Sequence, residues 1–257
     1  MDFQIDKIYN EDCLEGMMRI ADGAVDCIIT DLPYGTTRHS WDSVIPLDEM
    51  WMQFKRIIKE RGSIALFCQQ PFTSALIMSN PTMFKYELIW EKEEGTGKLN
   101  ANFAPMKSHE NIAVFSKSAA SFVKDTNDAM VYNPQFGVGK PYTTTRKSRQ
   151  SHYDAKSMAE ITTTVNDGRR YPLTVLKFAR DLDGLHPTQK PVDLLRYLIL
   201  TYSNEGDTIL DATIGSGTTA VAALMERRHF IGFETNKEYF DIAQGRIDQV
   251  LRNPTLF

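Results

Sequence analysis

The sequence predicts an α/β protein with a mostly parallel sheet and helices on both faces. Short apolar runs of the kind found in strands covered on both faces alternate with amphipathic segments of helical periodicity. This alternation indicates parallel strands joined by helices. A polar and basic stretch interrupts the alternation, and it predicts a small insert at residues 118–183 between two halves of one domain, 1–117 and 184–257.

Ten segments carry these patterns. In the first predicted helix, Met50, Phe54 and Ile57 share one face, and Pro191 suits the first turn of the second. The predicted strands are 25–30, 63–69, 86–92, 111–117, 207–213 and 229–235. The predicted helices are 47–60, 191–203, 218–228 and 237–251.

Composition narrows the class of protein. Among the 257 residues, 42% are apolar and 24% charged, as in a globular protein with a substantial core. No apolar run approaches the ~20 residues that span a bilayer, and the N-terminus lacks an apolar signal core. Cys13, Cys27 and Cys68 have neither disulfide-like nor zinc-like spacing. We therefore expect a cytoplasmic protein with no membrane partner and no metal.

The positive charge of the chain is concentrated in one stretch. Residues 140–180 hold nine basic and three acidic residues, a net charge of +6, which leaves −10 for the rest of a chain whose total is −4. Such a segment is either a solvated surface loop or a surface that binds phosphates. The basic candidates for nucleic-acid contact are Lys140, Arg146, Lys147, Arg149, Arg169 and Arg170.

A glycine-rich turn follows a predicted strand in "ILDATIGSGTTAVAA". No lysine follows Gly217, so the turn is not a Walker A loop. Ala220 is a permitted residue at the third position of the dinucleotide-binding pattern, so that alternative remains. Asp211 before the glycines and Glu234 at the end of the next strand also suit the ribose of a nucleoside cofactor without phosphates.

A second strand runs directly into "DLPY", residues 31–34. Pro33 stiffens this loop, so the Asp31 carboxylate, the Leu32 carbonyl and the Tyr34 ring are held together. Two acceptors and one flat ring suit the amino group and face of a nucleobase. A purely structural exit from the strand is the alternative.

Together these motifs resemble the beta class of amino-group DNA methyltransferases, in which the catalytic motif precedes the cofactor motif. Asp31-Leu32-Pro33-Tyr34 matches the family's Asp-Pro-Pro-Tyr, with Leu32 in place of the first proline. The segment "LHPTQKPVDLLRYLI" (185–199) resembles the one that lines the methionine end of S-adenosylmethionine. The glycine turn and "IGFETN" match the remaining cofactor motifs. The resemblance covers nearly all of the chain outside 118–183, where the family has its target-recognition region.

The resemblance implies a Rossmann-like S-adenosylmethionine-dependent methyltransferase fold and a set of site residues. Lys190 would meet the cofactor carboxylate or be a solvated lysine, and Trp90 would stack on a flipped base or belong to the core. The implied catalytic residues are Asp31, Leu32, Pro33 and Tyr34. The implied cofactor residues are Asp12, Thr188, Lys190, Asp211, Gly215, Gly217, Thr218, Glu234 and Asn236.

The reaction implied is methylation of the N6 amine of adenine in double-stranded DNA, because an aspartate at the first motif position goes mostly with adenine in this family. Four alternatives remain: cytosine N4, an RNA or protein substrate, an NAD-linked oxidoreductase, and a non-catalytic DNA-binding relative. The resemblance also leaves open a homodimer and a cognate restriction endonuclease.

Overall fold

The computed structural model describes residues 4–35, 44–121, 125, 128–147, 161–181 and 189–252. The chain forms two compact units. Met1–Asn133 together with Thr174–Phe257 makes the larger unit, and Pro134–Leu173 makes the smaller one. Within the described ranges, no helix is both long enough and apolar enough to cross a lipid bilayer.

The larger unit contains an eight-stranded sheet and the helices, and the smaller unit contains four short strands. The strands are β1 (Lys7–Tyr9), β2 (Val25–Asp31), β3 (Ile58–Cys68), β4 (Phe84–Thr96), β5 (Lys107–Ser116), β6 (Gly137–Val138), β7 (Tyr142–Lys147), β8 (Ile161–Asn166), β9 (Arg169–Arg170), β10 (Val175–Lys177), β11 (Thr208–Asp211) and β12 (His229–Phe233). The helices are α1 (Cys13–Met17), α2 (Leu47–Ile57), α3 (Phe72–Ser79), α4 (Val192–Tyr202), α5 (Thr218–Met225) and α6 (Lys237–Arg252), with a 3₁₀ turn at Lys98–Asn100.

The sheet has the order β1-β12-β11-β2-β3-β5-β4-β10. Its pairs are parallel except those of β5, which is antiparallel to both β3 and β4. The mostly parallel sheet is therefore confirmed. β2 and β11 are neighbours although they lie far apart in the sequence, so the loops that follow them share one edge of the sheet.

Helices cover both faces, because alternate residues of the central strands enter two different cores. Cys27 and Ile29 of β2 pack in the core that includes residues of α4, α5 and α6. Ile28, between them in the same strand, packs in the core that includes residues of α1, α2 and α3. All three residues are fully buried. The predicted two-sided α/β architecture is thus confirmed.

Several elements differ from the prediction. Four elements were not predicted, because they are short or their apolar residues show little periodicity: β1, α1, α3 and β10. β4 and β5 are longer than predicted because they pair beyond their apolar runs, as far as Thr96 opposite Lys107. Main-chain pairing extends these strands through polar residues, whose side chains give no apolar signal.

The predicted insert also has different limits. The smaller unit spans Pro134–Leu173, whereas β10, inside the predicted 118–183 range, pairs with β4 in the main sheet. Leu176 of β10 is buried, which explains why this segment belongs to the sheet. The smaller unit itself consists of the antiparallel pairs β6–β9 and β7–β8.

Candidate active site

A cavity of about 360 Å³ lies at the edge of the sheet where β2 and β11 end. Its volume is in the range of pockets that hold small ligands. Residues from both predicted motifs line it. Those among the predicted site residues are Asp12, Asp31, Leu32, Pro33, Tyr34, Lys190, Asp211, Gly215, Thr218 and Glu234.

Hydrogen bonds join the loops that follow β2 and β11. The Thr213 hydroxyl, which follows β11, donates to the main-chain oxygen of Asp31 at 2.9 Å. It also lies 2.8 Å from the hydroxyl of Thr30, the buried residue before Asp31. These bonds fix the end of β2 against the glycine turn, so the distance between the two motifs is set by adjacent strands and not by flexible loops.

The Asp31 carboxylate has a partner at each oxygen. The Tyr34 hydroxyl donates to Oδ1 at 2.5 Å, and the Lys190 ammonium forms an ion pair with Oδ2. Burial raises the pKa of Asp31, and the nearby Lys190 charge opposes that rise. These two contacts hold the carboxylate in one orientation at the cavity wall.

The remaining residues of the motif form an apolar support. Leu32 is buried in the core with α1, α2 and α3. The Tyr34 ring lies 5.4 Å from the Phe72 ring, centroid to centroid, at a tilt of 39°. Burial, followed by the charge of Asp31, raises the pKa of the Tyr34 hydroxyl, which therefore stays protonated and able to donate.

Lys190 contacts a second carboxylate. Its Nζ lies 3.2 Å from Glu110 Oε2, and Glu110 is also paired with Lys92. Burial favours the neutral acid, but the two ammonium groups outweigh it and lower the pKa of Glu110 to about 2. The predicted alternatives for Lys190 were a cofactor carboxylate or solvent. The structure places the side chain, 7% exposed, between two carboxylates of the protein, so Lys190 is not a solvated lysine.

At the β11 end of the cavity, carboxylates are held by uncharged donors. Asp211 accepts the Thr213 amide at 3.1 Å and the Thr219 hydroxyl at 2.5 Å. Burial raises the pKa of Asp211 to about 6. Glu234 accepts the Gly215 amide at 3.0 Å, and burial raises its pKa as well.

Two predicted cofactor residues shape the loop from outside the cavity lining. Gly217 has φ +83°, and a Cβ there would lie 2.8 Å from the Ala243 Cβ, so glycine is required for the turn and for contact with α6. Asn236 Oδ1 accepts the Glu238 amide at 2.9 Å, where it caps the start of α6. Asp12 caps α1 in the same way, by accepting the Leu14 amide at 2.8 Å, but it does line the cavity.

Trp90 is not available to a flipped base in this structure. The ring is 2% exposed and belongs to the core, and its Nε1 donates to the Phe178 carbonyl at 2.9 Å. The prediction that Trp90 contacts nucleic acid is therefore wrong, because β4 turns this side chain into the sheet's core.

Two of the predicted basic residues in the smaller unit have different surroundings. Arg169 is exposed and donates to Asp167 at 2.9 Å. The Arg170 guanidinium instead donates to Asn166 Oδ1 at 2.5 Å and stacks over the Tyr142 ring at 5.0 Å. Its other end donates to the Lys140 main-chain oxygen. Arg169 is thus a surface residue, and Arg170 joins the strands of this unit.

The other predicted positions cannot be placed. Arg149 and Thr188 lie outside the described residues, as do the side chains of Arg146 and Lys147. Sequence reasoning also missed residues of the site, namely Glu110, Lys92 and Arg246. Arg246 of α6 donates to the Ser216 carbonyl at 2.9 Å and so fixes the glycine turn. Glu110 had a detectable signal, since it is a charge two residues before the apolar run 112–115.

The comparisons with known proteins agree with this geometry. The family model described as DNA methylase matches residues 25–245. The DNA adenine methyltransferase YhdJ of Escherichia coli K12 is 25% identical, over 94% of this chain and 82% of YhdJ.

Two solved structures have a similar fold. The complex of M1.HpyAVI with SAM superposes with a TM-score of 0.59 at 24% identity, covering 93% of this chain and 98% of that one. The cytosine-N4-specific PvuII DNA methyltransferase superposes with a TM-score of 0.63 at 14% identity, covering 96% and 91%. The family match spans most of the chain and includes both motifs that line the cavity. The chain therefore belongs to the DNA methylase family of amino-group methyltransferases.

Proposed function

We propose that this DNA methylase transfers a methyl group from S-adenosylmethionine to the N6 amine of adenine in DNA. The observation that carries the proposal is the single cavity bordered by Asp31 and Tyr34 on one side and by Asp211, Gly215 and Glu234 on the other. An amine acceptor thus lies beside a loop suited to a nucleoside.

The residues of the β11 end fit the proposed cofactor. Asp211 and Glu234 are acceptors with spare lone pairs, because a carboxylate offers about four acceptor positions and hydrogen bonds from the protein use three in each. Ribose hydroxyls are donors that suit such oxygens. The family to which the chain belongs uses the same methyl donor. When bound, S-adenosylmethionine supplies an electrophilic methyl group on a sulfonium.

In the proposed reaction, Asp31 and the Leu32 carbonyl accept the two hydrogens of the target amine. The nitrogen would take the electrophilic methyl group and leave the C–S bonding electrons on sulfur, and the proton that the nitrogen then loses would pass to solvent. The carboxylate stabilises the positive charge that develops on nitrogen, an electrostatic contribution of several kcal/mol where one group is typical. The amine would replace the Tyr34 hydroxyl at Asp31 Oδ1, which leaves the Tyr34 ring to stack on the base.

The choice of adenine rests on Asp31 at the first motif position and on the relative named as an adenine methyltransferase. Cytosine N4 is the second candidate, because the PvuII enzyme named as cytosine-N4-specific has the higher TM-score of the two structures. Both amines fit the same acceptors, so the physics of the site favours neither.

Mass analysis of nucleosides decides between the two bases. DNA from cells that express the wild-type chain should contain N6-methyldeoxyadenosine above the level in cells that express Asp31→Ala, prepared in parallel. N4-methyldeoxycytidine that depends on Asp31 would overturn the choice of base and keep the family reaction. No difference between the two preparations would overturn the role of Asp31.

The basic residues of the smaller unit are proposed to contact DNA phosphates. Support comes from the net charge of the segment and from the exposure of Arg169. Arg169→Ala should reduce the slope of log K against log salt by ~0.9, the value for one lost phosphate contact. Lys55→Ala is the matched control, because it removes an exposed charge from α2 of the larger unit. Equal slopes for both variants and the wild type would mean that Arg169 is only a solvated residue.

A further inference from the structure

Lys190 is buried between two acidic side chains that come from different strands. It precedes α4, whereas Asp31 ends β2 and Glu110 lies in β5. Its Nζ pairs with Asp31 Oδ2, lies 3.2 Å from Glu110 Oε2 and lies 5.0 Å from the centroid of the Phe67 ring. Only 7% of the Lys190 side chain is exposed. A buried ammonium is costly unless it is paired, so the two carboxylates define where it sits.

A second lysine completes the cluster. Lys92 pairs with Glu110, is 10% exposed, and its Nζ lies 5.0 Å from the centroid of the Trp90 ring. The four directly paired groups, in the order Asp31, Lys190, Glu110 and Lys92, therefore alternate in sign and sum to zero charge, and Lys107 adds a positive charge near Glu110. A neutral cluster is the arrangement that lets four charges share a poorly solvated region.

Asp31 needs this cluster because its surroundings disfavour ionisation. It is partly removed from water, and it faces the negative charges of Glu110 and of Asp211. The Tyr34 hydroxyl and the Lys190 ammonium oppose these effects. Cys68 is also close, but burial raises its pKa to about 11, so it is uncharged at neutral pH. Lys190 is thus the positive charge that Asp31 contacts directly.

Glu110 has a separate effect. A lone ammonium beside Asp31 would repel the positive charge that develops on the attacking nitrogen of the amine. Glu110 cancels part of the Lys190 charge, so that the carboxylate is held without a net positive field in the cavity. Its ion pair with Lys190 also restricts the direction of that side chain. Lys190 then stays paired with Asp31 Oδ2, while Oδ1 holds the Tyr34 hydroxyl that the amine would replace.

We propose that Lys190, oriented by Glu110, is a positioning residue that keeps Asp31 ionised and aligned for methyl transfer, and that it does not bind the carboxylate of S-adenosylmethionine. The inference rests on the proposed role of Asp31 as the acceptor of the amine. It holds for adenine and cytosine alike.

The test compares Lys190→Met with Glu110→Gln in single-turnover methyl transfer across pH, at saturating cofactor and DNA. Lys190→Met should move the acidic limb of the rate profile up by about one pH unit, which is a loss of about tenfold on that limb. The rate should recover toward the wild-type value at alkaline pH. Glu110→Gln removes a negative charge from the surroundings of Asp31, so its acidic limb should move in the opposite direction, to lower pH.

Cofactor affinity separates this role from the alternative. Titration calorimetry of Lys190→Met with S-adenosylmethionine should give a dissociation constant within about threefold of wild type. A dissociation constant raised about tenfold or more, with an unmoved pH profile, would show that Lys190 binds the cofactor and would overturn the proposal. Lys59→Met, which breaks an exposed ion pair near the start of β3, is the matched control for loss of a lysine charge.

Two further variants protect the test. Lys190→Arg keeps the charge and should keep the wild-type pH profile. If Lys190→Met fails to fold, Lys190→Gln replaces it, with the same upward shift of the acidic limb expected and an unmoved profile overturning the proposal. If the wild type transfers methyl groups and Asp31→Ala does not, the proposed function stands. An unmoved pH profile of Lys190→Met then counts against this inference alone.

Discussion

The two ends of the cavity hold their carboxylates by opposite means. At the β2 end, Asp31 and Glu110 are paired with the ammonium groups of Lys190 and Lys92. At the β11 end, the contacts of Asp211 and Glu234 come from main-chain amides and a threonine hydroxyl. The first end is electrically neutral in sum, and the second is anionic whenever both acids are ionised.

The difference matches what each end is proposed to hold. A neutral end tolerates a reaction in which positive charge develops on the attacking amine, since no net field opposes it. An anionic end favours hydroxyl donors and a positively charged methyl donor nearby. One pocket therefore combines a site for charge development with a site for binding.

The largest expected effect comes from removing the acceptor at the neutral end. Asp31→Ala should lower the single-turnover rate of methyl transfer by about a hundredfold or more, the scale for one charge-stabilising group that is preorganised. Cofactor affinity should stay near the wild-type value, because Asp31 faces the amine. Labelled S-adenosylmethionine measures the rate and calorimetry measures the affinity. Transfer at the wild-type rate would remove Asp31 from the mechanism.

The second prediction concerns pH and the anionic end. Burial raises the pKa of Asp211 to about 6 from an ordinary value of 3.8. The folded protein therefore holds a proton that the unfolded chain releases. The stability from this group is fully present below pH 3.8 and is lost as pH rises through about 6. Relative to Asp211→Asn, the wild type should lose ~3 kcal/mol of unfolding free energy between pH 4 and pH 7.

Urea unfolding of the two proteins at several pH values measures that difference. A constant offset between the wild type and Asp211→Asn would show that Asp211 titrates normally. Glu110 provides the contrast from the neutral end, because its pKa is lowered to about 2. Its contribution is present above pH 4.5 and is lost as pH falls toward 2, so Glu110→Gln should differ from wild type in the opposite sense.

Much of the fold was predictable because it is encoded by local patterns. Apolar runs such as 25–30 are buried on both faces, so they carry a strong strand signal. The cavity at the ends of β2 and β11 agrees with the rule that ligands bind at the carboxyl ends of parallel strands. β10 was missed because its three residues are ordered by pairing with β4, which no local pattern records.

The site was predictable where a motif is contiguous. Asp31 and Tyr34 lie within four residues, as do Asp211 and its partner Thr213. The ion pair between Asp31 and Lys190 joins positions 159 apart in the sequence, and Glu110 enters from a third element. Long-range pairing of charges depends on the sheet order, so the cluster was visible only in three dimensions.

The smallest expected effect tests whether Glu234 binds ribose or only supports the glycine turn. Its Oε2 accepts the Gly215 amide at 3.0 Å and its Oε1 accepts the Asn236 amide at 2.7 Å. Either role predicts weaker binding of S-adenosylmethionine by Glu234→Ala, at ~1–3 kcal/mol for a buried acceptor that is lost. Thermal unfolding of the variant should show that the fold survives.

A cofactor analogue separates the two roles. S-adenosylhomocysteine and its form without ribose hydroxyls should differ in affinity for the wild type by ~1 kcal/mol or more, if the carboxylate accepts a hydroxyl. The same pair of ligands should then bind Glu234→Ala almost equally, because the partner of the hydroxyl has been removed. Such a double-mutant cycle isolates the pairwise contact from any loosening of the turn. If the variant still distinguishes the two ligands as the wild type does, the ribose contact lies elsewhere, and Glu234 acts only by holding Gly215 in place.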